Sequence, residues 1–298
     1  MSRIELTGLI GSHPLGALAS FGLLRVLSQV DDHAKLSFVE RDDWIAALDS
    51  KFATEQALLE FITQWGKARI PSVFAAFGED DVRIEPTRFQ ALLRDALSRE
   101  TESGELATFL VALAADGAED KAKHLVKPSP FYMASGQQSF LETMRKLHGY
   151  IRKSPVWNEA LFGPWSYATL EWGAGWDPAT ERMHALRFKA PTKDKTSCVV
   201  GAVALGFEAL PLFPTFSIRG SVRTVGWVRD AKAECFRWPL PSAPMGVDAL
   251  GLLVAAAEVS GSSGPGSPMR EGIAAIYESA RFTFGQGYAV FRPARRIA

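Results

Sequence analysis

The chain has 298 residues, of which 47% are hydrophobic and 22% charged, and its formal net charge is zero. That length allows one large domain or two ordinary ones with a sizeable core, and the composition excludes a disordered chain. The best apolar stretches, near residues 15–27 and 249–257, are too short to span a bilayer, so no membrane association is expected.

In chain order, residues 4–9 read as a short opening strand, broken by Gly8, Gly11, Pro14 and Gly16. Leu15, Leu18, Ala19, Leu23, Val26 and Leu27 recur at helical spacing, which predicts a helix over 15–30. Residues 36–39 read as a strand, and Asp42, Asp43 and Trp44 begin another element. Helices are expected over 54–63, 86–100 and 101–116. Beyond residue 121, prolines and four tryptophans (Trp157, Trp165, Trp172, Trp176) change the texture. A helix is expected over 137–152, and a small-residue helix over 198–210. Alternating runs predict strands at 168–172, 185–189, 216–220, 222–228 and 234–239, with two more between 273 and 291. The segment 260–268, SGSSGPGSP, reads as a flexible loop. The fold class is α+β, helix-rich in its N-terminal half and more strand-rich in its C-terminal half, one compact unit or two intimately packed subdomains.

Two cysteines, Cys198 and Cys235, flanked by apolar residues, read as buried core thiols. No secretory signal is expected from Met1, Ser2, Arg3, Ile4 and Glu5, so the expected location is cytoplasmic. The five histidines (His13, His33, His124, His148, His184) have no metal-ligand spacing, and no metal or cofactor is expected. Asp42/Asp43 and Glu79/Asp80/Asp81 read as turns or helix caps. No Gly-x-Ser-x-Gly elbow is present. The segment from Gly8 to Pro14 lies between a strand and a helix, where a terminus capped by Ser12 can hold one phosphate; a tight turn before a core helix is the preferred reading. Gly173–Gly175 reads as a hairpin turn.

Charge is unevenly spread. Residues 1–120, the acidic and mainly helical part, carry 20 Asp/Glu against 11 Lys/Arg; residues 121–298, the basic mixed part, carry 13 against 22. Three basic clusters lie in the second part. The first holds Lys121, Lys123, Lys127, Arg145, Lys146, Arg152 and Lys153, interleaved with Phe131, Tyr132 and Tyr150. The second is Arg187, Lys189, Lys193 and Lys195. The third is Arg281, Arg292, Arg295 and Arg296, with Phe282, Phe284, Tyr288 and Phe291. Cations along a groove bind phosphates, and aromatics between them offer stacking surfaces for unpaired bases. The three clusters together point to nucleic-acid binding rather than to solvated faces.

The opening Leu6-Thr-Gly8, followed by His13-Pro14-Leu15-Gly16 and Gly22-Leu23-Leu24-Arg25, resembles the start of large-subunit proteins of type I CRISPR surveillance (Cascade) complexes, nearest to type I-G, formerly I-U. The segments 134–141, Trp176-Asp177-Pro178 with 185–187, 208–214 and 287–293 resemble the same group. The similarity covers about a third of the chain and rests on order and spacing. The chain departs from the group in lacking a recognisable C-terminal helical bundle, a job that a separate small subunit can take. The resemblance implies a noncatalytic subunit bound to guide RNA, target DNA and other surveillance-complex subunits. Such a subunit inspects a short duplex motif beside the target, aids strand opening and leaves cleavage to a recruited helicase-nuclease. Gln137 and Gln138 can read base edges, or cap a helix beside Ser135-Gly136. Two other readings compete: an enzyme using His13, Asp42 or Glu208 in a cleft, and a structural adaptor anchored by its tryptophans.

Overall fold

A computed structural model describes residues 2–98, 104–134, 139–170, 172–180, 197–229, 233–260, 272–284 and 288–298. The chain opens with strand β1 (Ser2–Ile10), helix α1 (Pro14–Ser28), and strands β2 (Lys35–Glu40) and β3 (Trp44–Ser50). These strands form an antiparallel sheet in the order β1-β3-β2. Its register sets Ile4 and Leu36 beside Leu48, and Leu6 and Phe38 beside Ala46, so these side chains make an apolar, buried patch on one face.

Helix α1 starts at the segment read as a tight turn or, less favoured, a phosphate-holding terminus capped by Ser12, and its cap is a different residue. His13, not Ser12, is the N-cap: its Nδ1 accepts from Gly16 N at 3.2 Å, and Pro14 occupies the first helical turn. Ser12 Oγ donates instead to Asp43 at 2.6 Å. The tight-turn reading is the one that holds.

Helices α2 (Glu55–Ala68), α3 (Ser72–Phe77), α4 (Pro86–Ser98) and α5 (Gly104–Leu113) follow. The helix expected over 101–116 ends at Leu113. Ala114–Asp120 is strand β4, paired in a hairpin with β5 (Leu125–Pro128). The apolar run continues through Ala114 and Ala115, so its periodicity gives no sign of the switch; pairing with β5 decides it.

Helix α6 (Phe140–Ile151) is shorter than the expected 137–152, and Gln137 and Gln138 lie outside the described residues. Its first turn is capped twice, by Ser139 Oγ on Glu142 N and by the Asp81 carboxylate on Phe140 N and Leu141 N, all at 3.1 Å. Helix α7 (Trp157–Phe162) and the short strands β6 (Thr169–Leu170) and β7 (Ser197–Cys198) lead into helix α8 (Val200–Ala209). Gly173–Gly175 makes no hairpin, because β6 pairs with β7; Gly175, at φ +77°, backs onto β13 instead, its carbonyl accepting from Phe291 N at 2.8 Å.

The rest is strand-rich: β8 (Thr215–Ile218), β9 (Ser221–Thr224), β10 (Trp227–Arg229), β11 (Glu234–Pro241), helix α9 (Val247–Ser260), β12 (Ile273–Phe284), β13 (Tyr288–Phe291) and β14 (Arg295–Arg296). The run expected over 222–228 is two strands, because Gly226 turns the chain at φ +78°. β10, β11, β12 and β13 form an antiparallel sheet, with β14 also on β12. The strand expected at 185–189 and most of the loop at 260–268 fall outside the described residues.

The fold is α+β, with most helices early and the larger sheet late. Its apolar core is continuous from Ile4 to Phe291. At its centre α1 crosses α8, and every residue of α8 is buried. Gly22 permits the crossing: a Cβ there would stand 1.8 Å from Leu205 O. Gly22→Ala is therefore expected to cost about 2–3 kcal/mol through forced separation of the helices. Thermal denaturation checks this; an unchanged midpoint would show that the helices do not pack this closely.

Candidate nucleic-acid interface

Three β-structures converge on one groove. The β4–β5 hairpin and the loop after it supply Lys127, Ser129 and Tyr132. The β8–β9 hairpin supplies Ser221 and Arg223. The larger sheet supplies Trp227 and Arg229 from its edge strand β10, Glu234 from β11 and Arg281 from β12, and Arg83 reaches in from the segment before α4. The cavity measures about 340 Å³ and is lined by five cations (Arg83, Lys127, Arg223, Arg229, Arg281) against one carboxylate, Glu234.

That carboxylate is shared, at 3.2 Å with Arg229 and 3.4 Å with Arg281. Among the described residues no carboxylate lies within ion-pair distance of Arg83, Lys127 or Arg223. Arg83 instead lies over the Tyr132 ring, 4.7 Å from its centroid. Tyr132 is fixed beneath it, its hydroxyl donating to Asp81 at 2.7 Å; burial and Asp81 both raise its pKa. A narrow, mostly uncompensated positive groove over a rigid aromatic floor suits a polyanion.

Among the described residues, the cations singled out in the sequence that line this groove are Lys127 and Arg281, with Tyr132 beside them. Lys121 and Lys123 are exposed in the β4–β5 turn. The α6 cations are partly committed: Arg145 Nη2 donates to Asp80 O at 3.1 Å and Arg152 Nε to Lys67 O at 3.0 Å, tying the helix to the segment before α4 and to α2. Lys146 pairs with Glu142 at 2.7 Å, and Lys153 is exposed. Phe131 and Tyr132 are buried in the core and offer no stacking surface, and Tyr150 packs on Trp172.

At the C-terminus, Arg292 covers the Phe282 ring at 4.0 Å, and Arg295 bonds Glu278 at 2.8 Å. Arg296 donates to the carbonyls of Ala274 and Ala298. Burial raises the Glu278 carboxyl, but bonds from Arg295 and Arg237 hold it below the usual range. Arg187, Lys189, Lys193 and Lys195 lie outside the described residues. Arg83, Arg223 and Arg229 escaped the sequence reading: Arg83 lies in the acidic part of the chain, and Arg223 and Arg229, with Arg219, Lys232 and Arg237 near them in sequence, fall in runs read only as strands.

The residues of the enzyme reading are placed as follows. Asp42 is exposed in the β2–β3 turn. His13 uses both ring nitrogens, Nδ1 accepting from Gly16 N and Nε2 lying 3.3 Å from Asp177, and it lines a second cavity of about 420 Å³ together with Trp165. Glu208 is fully buried. Its oxygens receive Arg25 Nη1 at 2.9 Å and the fork of Arg69 at 2.7 and 3.0 Å, and Arg69 also binds Glu105. Burial raises the Glu208 carboxyl and the two guanidiniums oppose it. The cluster links α1, α2, α5 and α8. Cys198 and Cys235 are buried thiols, and burial pushes Cys198 up to about 12. Trp157 and Trp176 lie in the core, while Trp165 and Trp172 are partly buried.

No protein-family model matches the chain, and no curated protein does.

His148, on α6 beside this cluster, packs edge-on against Phe74 and Phe207, and neither ring nitrogen has a hydrogen-bond partner among the described residues. Burial and then Arg69 lower its pKa to about 3. The unfolded imidazole takes a proton near pH 6.5, so stability is complete above that value and is lost as pH falls toward 3. At pH 5 the loss is about 2 kcal/mol. His148→Phe is expected to flatten the stability profile between pH 4 and 6.5, measured by denaturant unfolding; an unaltered slope would show that His148 does not set it.

Proposed function

We propose that this chain is a noncatalytic subunit of a CRISPR RNA-guided DNA surveillance complex, and that its basic groove holds nucleic-acid backbone. The observation that carries the reading is the groove itself, with five cations and one carboxylate converging from segments far apart in sequence. Phosphate contacts of this kind fix position without reading sequence, which in such a complex is left to guide pairing. The resemblance of the opening segment and of later segments to type I large subunits supports the same role. Inspection of a short duplex motif by Gln137 and Gln138, aid to strand opening and recruitment of a helicase-nuclease belong to this proposal.

No helix among the described residues is long and apolar enough to cross a membrane, and a cytoplasmic location is part of the same reading. Affinity purification of the tagged chain from its native host, with sequencing of bound RNA and mass spectrometry of bound proteins, tests it. Repeat-derived guide RNA and other surveillance-complex subunits are expected. Recovery of an RNA-free monomer would contradict the proposal.

A further inference from the structure

The β8–β9 hairpin that walls the basic groove has two unlike faces. Its register sets Thr215 opposite Thr224, Phe216 opposite Arg223, Ser217 opposite Val222 and Ile218 opposite Ser221. Opposed residues project from the same face and successive residues from opposite faces. The inner face is therefore Thr215, Ser217, Val222 and Thr224, and it is tied down. Thr215 Oγ1 donates to Ala112 O at 3.1 Å, and Ser217 Oγ to Gly117 O at 2.7 Å. The outer face carries Phe216, Ile218, Ser221 and Arg223, with Phe216 46% and Ile218 49% exposed.

Two large apolar side chains on the open face of a two-stranded ribbon add little to burial. The turn between the strands has both central residues at positive φ, Arg219 at 51° and Gly220 at 76°. Asparagine or glycine suits that first position better than arginine. The strained residue places a further cation at the hairpin tip.

We infer that the groove takes an unpaired nucleic-acid strand, with Phe216 and Ile218 as the platform for its bases and Arg223 and Lys127 on its phosphates. This rests on the proposal that the groove binds nucleic acid, and it names the form bound. A duplex keeps its base faces in its own stack and offers this groove only backbone. An exposed ring beside a cation gains contact only when a base is free to leave the stack. Directly opposed side chains stand about 5 Å apart at Cβ, so a nucleotide with its phosphate on Arg223 has its base within reach of Phe216. The aromatics of the groove itself, Tyr132 and Trp227, are buried and cannot take this part.

The test is fluorescence anisotropy with a labelled oligodeoxythymidine strand and a labelled duplex of equal length, using the full chain and its Phe216→Ala and Phe216→Trp variants. The single strand should bind more tightly than the duplex. Phe216→Ala should weaken single-strand binding roughly tenfold and leave duplex binding unchanged, while Phe216→Trp retains the affinity. Since Phe216 is half exposed, both variants should fold, which circular dichroism verifies. Equal loss on both forms, or no loss with Phe216→Ala, would overturn the platform while leaving a backbone groove. Binding of neither form would remove the groove's nucleic-acid reading, and the inference with it.

Discussion

Glu208→Ala is expected to destabilise the chain by about 3–5 kcal/mol, because it leaves Arg25 buried without a carboxylate and Arg69 with Glu105 alone. Arg25 and Arg69 are only 12% and 13% exposed and converge on a side chain with no exposure at all. In a protein of this size the thermal midpoint should fall by roughly 6–15 °C. A non-additive result is also expected. Replacing Arg25 with Met, Arg69 with Met and Glu208 with Leu together should cost less than Glu208→Ala alone, since no buried charge then remains unpaired. Glu105, the cluster's outermost member, is 28% exposed and can be solvated. A triple variant as unstable as the single one would show that the cluster does more than cancel its own charge.

The second large effect is on binding. Reversing Lys127 and Arg223 to Glu removes two free cations from the groove and adds two repulsive charges. Affinity for a single strand should fall roughly thirty- to a hundredfold. The dependence of log affinity on log salt should flatten by about 1.4, since each lost phosphate contact removes about 0.7. Both side chains are exposed, so the fold should survive. The same reversals at Lys146 and Lys153 on α6 should cost less, because Lys146 already pairs with Glu142. Anisotropy titrations between about 50 and 200 mM salt decide the matter. A larger loss from the α6 pair would move the interface to that helix.

The elements were legible where one period dominated. Residues 15–27 repeat at helical spacing, and α1 forms there; the alternation near 234–239 gives β11. The eye fails where a run of small apolar residues suits either state, as at Ala114 and Ala115, where contact with β5 decides. The helix at Val247–Ser260 was seen only as an apolar stretch, because its sequence shows no polar face. Four of the groove's five cations lie in the basic half, but the aromatics interleaved with the first basic cluster offer it no exposed ring. Phe131 and Tyr132 stand among cations in sequence, but they fill the core. Phe216 lies near Arg219 and Arg223 in sequence, and its place opposite Arg223, beside the groove, comes from the strand pairing. Arg83, from the acidic part of the chain, joins cations from the basic part, an arrangement that no local count can reveal.

The central claim is that nucleic acid lies in the groove between the β4–β5 and β8–β9 hairpins. Photo-cross-linking of a bromouracil-substituted strand to the full chain, followed by peptide mass spectrometry, tests it most directly. Cross-links are predicted within residues 213–229 and 125–132, centred on Phe216. Cross-links confined to residues 140–153 or to the C-terminal arginines, with the groove peptides unmodified, would contradict it.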